Sequence, residues 1–193
     1  LAPRILEACP RIDILLNNAG VFHARLERNS RGVERTLASN HVGPFLLTQL
    51  LLDRLNASHA RIVFVSSDAQ FQALAFDDPD TAPLWKGKEV NQSSGFAAYN
   101  RSKLMVTACA KELSDRVDGA TVNVLTPGAL VPTDIYEEVS GPFAAFVSVF
   151  RPILRSVDKA ADVYMYVLAS PELEGVSGYY FKDRRSQDLP LLV

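Results

Sequence analysis

Apolar runs alternate with segments of helical period along the whole chain. The strands that this pattern predicts are short runs at residues 12–16, 61–66, 121–125 and 178–181. The helices that it predicts lie at residues 32–56, 98–117 and 158–169. Because strands and helices alternate, we expect parallel strands joined by right-handed crossovers in an α/β layer fold.

The first predicted helix and the second predicted strand have the clearest patterns. The apolar residues spaced to line one side of the helix are Leu37, Val42, Phe45, Leu46, Leu50 and Leu55. The strand at 61–66 is apolar on both faces, which is typical of a strand covered by helices on each side. The run at 178–181 is expected to be the last strand.

Length and composition indicate one domain over residues 1–193. The chain is 48% hydrophobic and 22% charged, with a net charge of −2. It has no Lys/Arg-rich stretch, so the sequence does not support nucleic-acid binding. Cys9 and Cys109 form no CxxC pattern, which favours a reducing, intracellular compartment. The three histidines have no metal-ligand spacing, so we expect no metal site.

The sequence from Tyr99 to Lys103 places a phenol and an ammonium one helical turn apart on the same face. A tyrosine near its ordinary pKa of about 10 is a poor base at neutral pH. A nearby ammonium favours the phenolate and lowers that pKa, which prepares the tyrosine for proton exchange with an alcohol or carbonyl oxygen. Taken alone, the same spacing also fits an exposed helix face.

Polar and small residues follow several predicted elements. Ser66 and Ser67 end the second strand, at the edge where open α/β sheets bind ligands, and a hydroxyl there can hydrogen-bond a reacting oxygen. Asn40 lies in an apolar helical run, where it needs partners and can hold a backbone distortion or a water. The small residues of Asn-Asn-Ala-Gly at 17–20 permit close approach of a ligand, and Pro-Gly at 127–128 ends a later strand.

Asn-Asn-Ala-Gly, the isolated asparagine, Ser-Ser, Tyr-x-x-x-Lys and Pro-Gly, in this order, resemble the short-chain dehydrogenase/reductase family over essentially the whole chain. The resemblance implies a Rossmann-like parallel sheet with flanking helices, and an NAD(P)-dependent oxidoreductase that interconverts an alcohol and a carbonyl. The long insertion before Tyr99 resembles the retinol-dehydrogenase-like branch. Residues 98–104 and 171–175 resemble the WW-domain-containing-oxidoreductase-like branch. This placement favours NADP over NAD.

The resemblance implies a role for each matching residue. Tyr99 would be the catalytic acid and base, Lys103 would lower its pKa and hold the nicotinamide ribose, and Ser67 would orient the substrate oxygen. Asn40 would anchor a water relay to Lys103. The residues implied in cofactor binding are Asn18, Ala19, Gly20, Tyr99, Lys103, Pro127, Gly128 and Thr133. Of these, Thr133 stands one residue later than the commonest family spacing.

Two segments bear on the substrate. Residues 68–95 are polar and without period, and are interpreted either as a partial lid beside the active site or as a surface insertion packed through Trp85. Residues 141–153 are unusually apolar, and by resemblance they help to form the pocket, which implies an apolar retinoid, steroid or lipid aldehyde. The alternatives for residues 141–153 are a buried core helix or a membrane-surface contact.

Two predicted helices, 32–56 and 98–117, resemble the helices that form dimer contacts in the family, which implies a homodimer.

In the family, a glycine-rich turn, Thr-Gly-x-x-x-Gly-x-Gly, binds the cofactor pyrophosphate. This turn is absent from the sequence. We therefore expect a fragment that holds the C-terminal portion of the fold, with the strand at 12–16 as an exposed, aggregation-prone edge. Membrane association through a missing N-terminus stays open. The alternative function is a catalytically inactive product that acts as an interaction or scaffold protein. A third alternative, a sugar-nucleotide epimerase, is disfavoured because Asn-Asn-Ala-Gly and the short C-terminal region fit that class of enzyme poorly.

Overall fold

Five strands form one sheet in the computed structural model of the chain, which describes residues 1–73, 95–128 and 156–188. The strands, in sheet order, are β1 Ile14–Asn17, β2 Arg61–Val65, β3 Thr121–Leu125, β4 Tyr179–Lys182 and β5 Arg185–Asp188. The first four run parallel, and β5 returns antiparallel to β4. The predicted parallel-dominated α/β fold is confirmed.

Helices connect the strands and cover the sheet. They are α1 Ala2–Ala8, α2 Arg35–Leu37, α3 Gly43–Ala57, α4 Gln70–Ala73, α5 Gly95–Ser114 and α6 Val157–Ala169. A π-helical turn, Ala38–Val42, joins α2 to α3, and a 3-10 turn, Pro171–Leu173, follows α6. Side chains cap two of the helix starts: the Glu34 carboxylate accepts from two N–H groups of α2, and the Ser156 hydroxyl accepts from one N–H of α6.

The apolar residues of the sheet face two separate cores. Ile62 and Phe64 of β2 belong to the core formed with α1, α3 and α5. Val63 and Val65, which alternate with them, belong to the core formed with α6. Successive side chains of a strand point to opposite faces, so β2 must be apolar at every inward position on both sides, as its sequence predicts.

The prediction for the helical stripe of α3 is wrong at two positions. Leu46 and Leu50 are 53% and 56% exposed, whereas Thr48, Leu51 and Leu55 are buried against the sheet. The π-helical turn before α3 has more residues per turn than an α-helix, so it rotates the following residues away from the continuous register that the prediction assumed.

The prediction that the run at 178–181 is the last strand is also wrong. Asp183 and Arg184, with φ of +52° and +60°, form a two-residue turn that leads into β5. The residues of β5, Arg-Ser-Gln-Asp, are all exposed, so the strand has no apolar pattern by which to predict it. Helix α1 was likewise not predicted, because it is only 7 residues long.

Strand β1 is the edge of the described sheet, as predicted. It pairs with β2 on one side, from Ile14 opposite Arg61 to Asn17 opposite Phe64. Ile14 and Leu16 are 44% and 36% exposed, whereas Leu15 packs against the first core. One face of this edge strand therefore presents apolar side chains to solvent.

Candidate active site

Lys103 is buried in the middle of α5, with 3% of the residue exposed. Its Nζ donates a hydrogen bond of 3.0 Å to the carbonyl oxygen of Val65, at the end of β2. Burial lowers the pKa of Lys103 to about 8. An ammonium has three N–H donors, and the bond to Val65 uses one of them. The others are available to a further acceptor at this edge of the sheet.

Tyr99 lies one turn before Lys103 on the same helix. The Lys103 Nζ is 5.6 Å from the centroid of the Tyr99 ring. The ring of Phe22 meets that of Tyr99 edge to face, with centroids 5.9 Å apart and an interplanar angle of 69°. Phe22 is itself buried and lies 4.7 Å from the ring of Phe96. An edge-to-face pair contributes about 1 kcal/mol beyond its buried area, so this contact helps to fix the tyrosine ring.

The two serines after β2 have different surroundings. Ser66 is buried, donates to the carbonyl oxygen of Lys103 at 3.0 Å, and accepts from the Thr107 hydroxyl at 3.0 Å. It therefore ties the end of β2 to α5. The Ser67 oxygen accepts an N–H from Ala69 at 3.2 Å, a contact that leaves the hydroxyl proton of Ser67 for another acceptor. The assignment of the substrate-orienting role to Ser67 stays a prediction, and these contacts are consistent with it.

Asn40 lies in the π-helical turn and connects three parts of the chain. Its Oδ1 accepts from the N–H of Val21 at 2.7 Å, and its Nδ2 donates to the carbonyl oxygen of Val21 at 3.0 Å. The same Nδ2 donates to the hydroxyl of Ser102 at 2.9 Å. Single π-helical turns occur often at functional sites. The expected backbone distortion is present, and the partners that a polar side chain needs here are Val21 and Ser102.

The segment Asn-Asn-Ala-Gly begins at Asn17, the last residue of β1. Asn17 donates from its Nδ2 to the hydroxyl of Thr48 on α3 at 3.0 Å. Asn18 and Ala19 are exposed. A Cβ added to Gly20 would lie 3.2 Å from the Lys103 Nζ and 3.5 Å from the Asn40 Oδ1. The lack of a side chain at Gly20 therefore lets this loop lie directly against the two buried polar groups.

The Pro-Gly pair follows β3 at the same edge of the sheet. Pro127 and Gly128 are half-buried. Gly128 has a φ of +95°, a conformation that favours glycine, and its N–H donates to the hydroxyl of Thr126 at 3.2 Å. Thr133 lies outside the described residues, as do Trp85 and residues 141–153, so their predicted roles remain predictions.

Several residues near the site were not predicted from the sequence. Phe22 follows Asn-Asn-Ala-Gly by two positions, but a single aromatic residue in a loop gives no signal of its partner. The Asp68 carboxylate accepts from the Tyr180 hydroxyl at 3.2 Å and lies 2.9 Å from the Lys182 Nζ. This cluster joins the loop after Ser67 to β4, across 112 residues of sequence.

His41 follows Asn40 in the sequence, but its side chain packs against residues of α3 and α5. It is buried, its ring stacks on that of Phe45, and its Nε2 lies 3.7 Å from the Sγ of Cys109. Burial lowers the pKa of His41. Cys9 and Cys109 are both free. Within the described ranges, no group of three or more His, Cys, Asp or Glu residues is arranged to hold a metal ion.

The geometry thus brings together Asn40, Gly20, Lys103 and Tyr99 with the end of β2. Comparisons with known proteins show what the whole chain is similar to. Residues 1–77 match the family model for short chain dehydrogenase. The chain is related to the short-chain dehydrogenases/reductases. It is 37% identical to retinol dehydrogenase 14 of Mus musculus, in an alignment that covers 96% of this chain and 55% of that protein.

A second relative is the WW domain-containing oxidoreductase of Pongo abelii, which is 32% identical over 89% of this chain and 42% of that protein. The chain spans about half the length of the curated relatives it matches. The resemblance to the retinol-dehydrogenase-like and WW-domain-containing-oxidoreductase-like short-chain dehydrogenases/reductases is confirmed.

A solved structure shows the same fold. It is the gluconate 5-dehydrogenase of Burkholderia cenocepacia in complex with NADP and tartrate, which superposes with a TM-score of 0.66. The superposition covers 93% of this chain and 66% of that chain, at 20% sequence identity. In the part of the chain that the structure describes, no helix combines the length and the hydropathy needed to cross a bilayer.

Proposed function

We propose that this chain supplies the Tyr/Lys/Ser/Asn site of an NAD(P)-dependent oxidoreductase that interconverts an apolar alcohol and its carbonyl compound by hydride transfer. The observation that carries the proposal is the buried Lys103. It lies one turn from Tyr99, its ammonium is held by the carbonyl of Val65, and a glycine of Asn-Asn-Ala-Gly packs directly against it.

The described residues fit a nicotinamide cofactor at the edge formed by the ends of the parallel strands. Lys103 keeps N–H donors that suit ribose hydroxyls. Gly20 and Gly128 bring backbone to this edge without a side chain that would obstruct a ligand. By resemblance, Asn18, Ala19 and Pro127 complete the set that would hold the cofactor, together with Thr133. The branch of the family favours NADP, and the choice between NADP and NAD is left to measurement.

A nicotinamide cofactor held at this edge would supply hydride exchange with the carbon of the alcohol or carbonyl group. Tyr99 takes the hydroxyl proton during oxidation and returns it during reduction. Lys103 has a pKa of about 8, so it is charged at neutral pH and favours the phenolate of Tyr99. The hydroxyl of Ser67 donates a hydrogen bond to the substrate oxygen and stabilises the charge that develops there. Asn40 fixes the loop of Gly20 through Val21, and in the proposal it also anchors a water next to Lys103.

The proposal of an apolar substrate depends on residues 141–153, for which the resemblance implies a role in the substrate pocket. A substitution of Phe146 by Ser should then raise the KM for a long-chain or ring-containing alcohol more than the KM for a small alcohol. Equal effects on both alcohols would argue against the apolar pocket while leaving the oxidoreductase proposal intact.

The central test measures cofactor binding and turnover by the chain. Calorimetry with NADPH and NADH gives binding, and absorbance of the reduced nicotinamide gives oxidation of apolar alcohols. We expect Tyr99→Phe to lower kcat by about 100-fold or more, since positioned acid–base groups contribute 10²–10⁴-fold, while binding of the cofactor is retained. Tyr179→Phe, a substitution of a partly exposed tyrosine on β4, is the matched control. Folded protein that binds neither nucleotide, or Tyr99→Phe with full activity, overturns the proposal.

A catalytically inactive interaction protein is the second candidate, and the exposed apolar edge of β1 favours it. This edge offers unpaired N–H and C=O groups on which another strand can add. The two candidates differ in the calorimetry experiment. A folded chain that self-associates through β1 and binds no nicotinamide cofactor supports the interaction protein.

A further inference from the structure

Tyr164 connects α6 to the loop of Asn-Asn-Ala-Gly. Its hydroxyl donates a hydrogen bond of 2.8 Å to the Oδ1 of Asn18, which lies 146 residues earlier in the chain. Tyr164 is half-buried beside Val163 and Val167, which anchor α6 in the second core. A phenol on a helix that is fixed to the sheet in this way is a well-positioned donor.

The protonation state of Tyr164 is fixed as well. Burial raises its pKa to about 12, so the phenol keeps its proton at neutral pH and can donate a hydrogen bond. In the observed hydrogen bond the acceptor is the carbonyl oxygen of the Asn18 amide.

This hydrogen bond sets the orientation of the Asn18 amide. The carbonyl oxygen and the NH₂ group lie on opposite sides of the planar amide. With Oδ1 bonded to Tyr164, the two N–H donors of Nδ2 are left for another acceptor. The neighbours of Asn18 are fixed from the opposite face of the sheet, since Asn17 bonds to Thr48 and Val21 bonds to Asn40. The exposed Asn18 is the part of the loop that α6 holds.

We propose that Tyr164 is a positioning residue for the cofactor, which orients the Asn18 amide so that its Nδ2 donates to an oxygen of the bound nucleotide. The proposal rests on the proposed function, in which this loop lies along the nicotinamide cofactor. Oxygen acceptors of the fitting chemistry are the ribose hydroxyls and the phosphate oxygens. Tyr164 itself does not touch the cofactor and acts through Asn18.

The test compares Tyr164→Phe with Tyr166→Phe. Tyr166 lies on the same helix and packs against Phe181 and Arg184 instead of the loop. We expect Tyr164→Phe to weaken NADPH or NADH binding by about fivefold to tenfold, which corresponds to loss of one hydrogen bond of about 1 kcal/mol. The KM for the cofactor should rise by the same factor with kcat unchanged, and Tyr166→Phe should bind as the unsubstituted chain does.

A double-mutant cycle with Asn18→Ala separates the proposed role from general loss of packing. If Tyr164 acts through Asn18, Tyr164→Phe has no further effect on cofactor affinity when Asn18 is already alanine. Additive effects of the two substitutions, unchanged affinity of Tyr164→Phe, or an equal loss in Tyr166→Phe would each overturn the inference while leaving the proposed function standing. An unsubstituted chain that binds neither nucleotide overturns the proposed function itself.

Discussion

The ammonium of Lys103 donates to the carbonyl oxygen of Val65 at 3.0 Å, inside the protein and at the end of a central strand. Burial lowers the pKa of Lys103 from 10.5 to about 8. Between these two pH values the unfolded chain keeps a proton on Lys103 that the folded chain has lost. The free energy of unfolding is therefore expected to rise as the pH increases from about 8 to about 10.5.

The substitution Lys103→Met should remove this rise. A shift of this size corresponds to about 3 kcal/mol as an upper bound, at about 1.4 kcal/mol per pKa unit. Urea unfolding at pH 7, 8, 9 and 10 gives the pH dependence for both proteins. Other groups titrate in the same range, so the informative quantity is the difference between the two curves. Lys159→Met, a change at an exposed lysine of α6, is the control. If Lys103→Met and the unsubstituted chain show parallel curves, the lysine is not destabilised by burial.

Gly95 begins α5 and has no space for a side chain. A Cβ there would lie 1.9 Å from the carbonyl oxygen of His23 and 2.8 Å from backbone atoms of Ala24. Helix propensity alone would favour alanine at this position by about 1 kcal/mol. We expect the opposite: Gly95→Ala should lower the free energy of unfolding by about 2 kcal/mol or more, because the backbone at residues 23–24 must move away from α5. Thermal and urea unfolding of Gly95→Ala measure it.

Gly32→Ala is the control for Gly95→Ala. Gly32 has a φ of +76° and open space around the position of a Cβ, so that substitution introduces backbone strain without a clash. Gly95→Ala should be the more destabilising of the two, and it should also lower turnover, since the same contact precedes Tyr99 on α5. A Gly95→Ala protein as stable as the unsubstituted chain would show that the loop at 23–24 moves away freely.

The exposed apolar face of β1 predicts self-association. Ile14→Lys places a charge on the edge strand, and charged residues on edges oppose strand addition. We expect less aggregation at equal protein concentration, measured by light scattering and sedimentation velocity, with little change in the urea midpoint. Leu15→Lys, one residue on, points into the first core and should unfold the protein instead. Equal self-association of Ile14→Lys and the unsubstituted chain would exclude β1 as the contact.

The parts of the site that lie close together in sequence could be predicted. Tyr99 and Lys103 share a face because they are one turn apart on α5, and the apolar run of β2 follows from coverage of the sheet on both faces. Local period is sufficient for both conclusions. The parallel sheet followed from the alternation of these elements.

Contacts between distant segments could not be predicted from local pattern. The hydrogen bond from Tyr164 to Asn18 and the aromatic contact of Phe22 with Tyr99 depend on how the elements pack in three dimensions. A backbone distortion at Asn40 was expected, but its effect on the register of the following helix was not, so the buried side of α3 was partly misplaced. Strand β5 was missed because a polar, exposed strand held by a tight turn has no apolar alternation.

The Asn40 amide joins Val21, 19 residues before it, to Ser102, 62 residues after it. Neither contact can form until the chain segments between them have been arranged, because closing a loop of that length loses entropy before any bond is gained. The contact with Ser102, which lies on α5, should therefore form late, when α5 packs against the π-helical turn. Asn40→Ala is then expected to accelerate unfolding and leave the refolding rate nearly unchanged in stopped-flow experiments. The junction at Asn40 would then form late in folding and open early in unfolding.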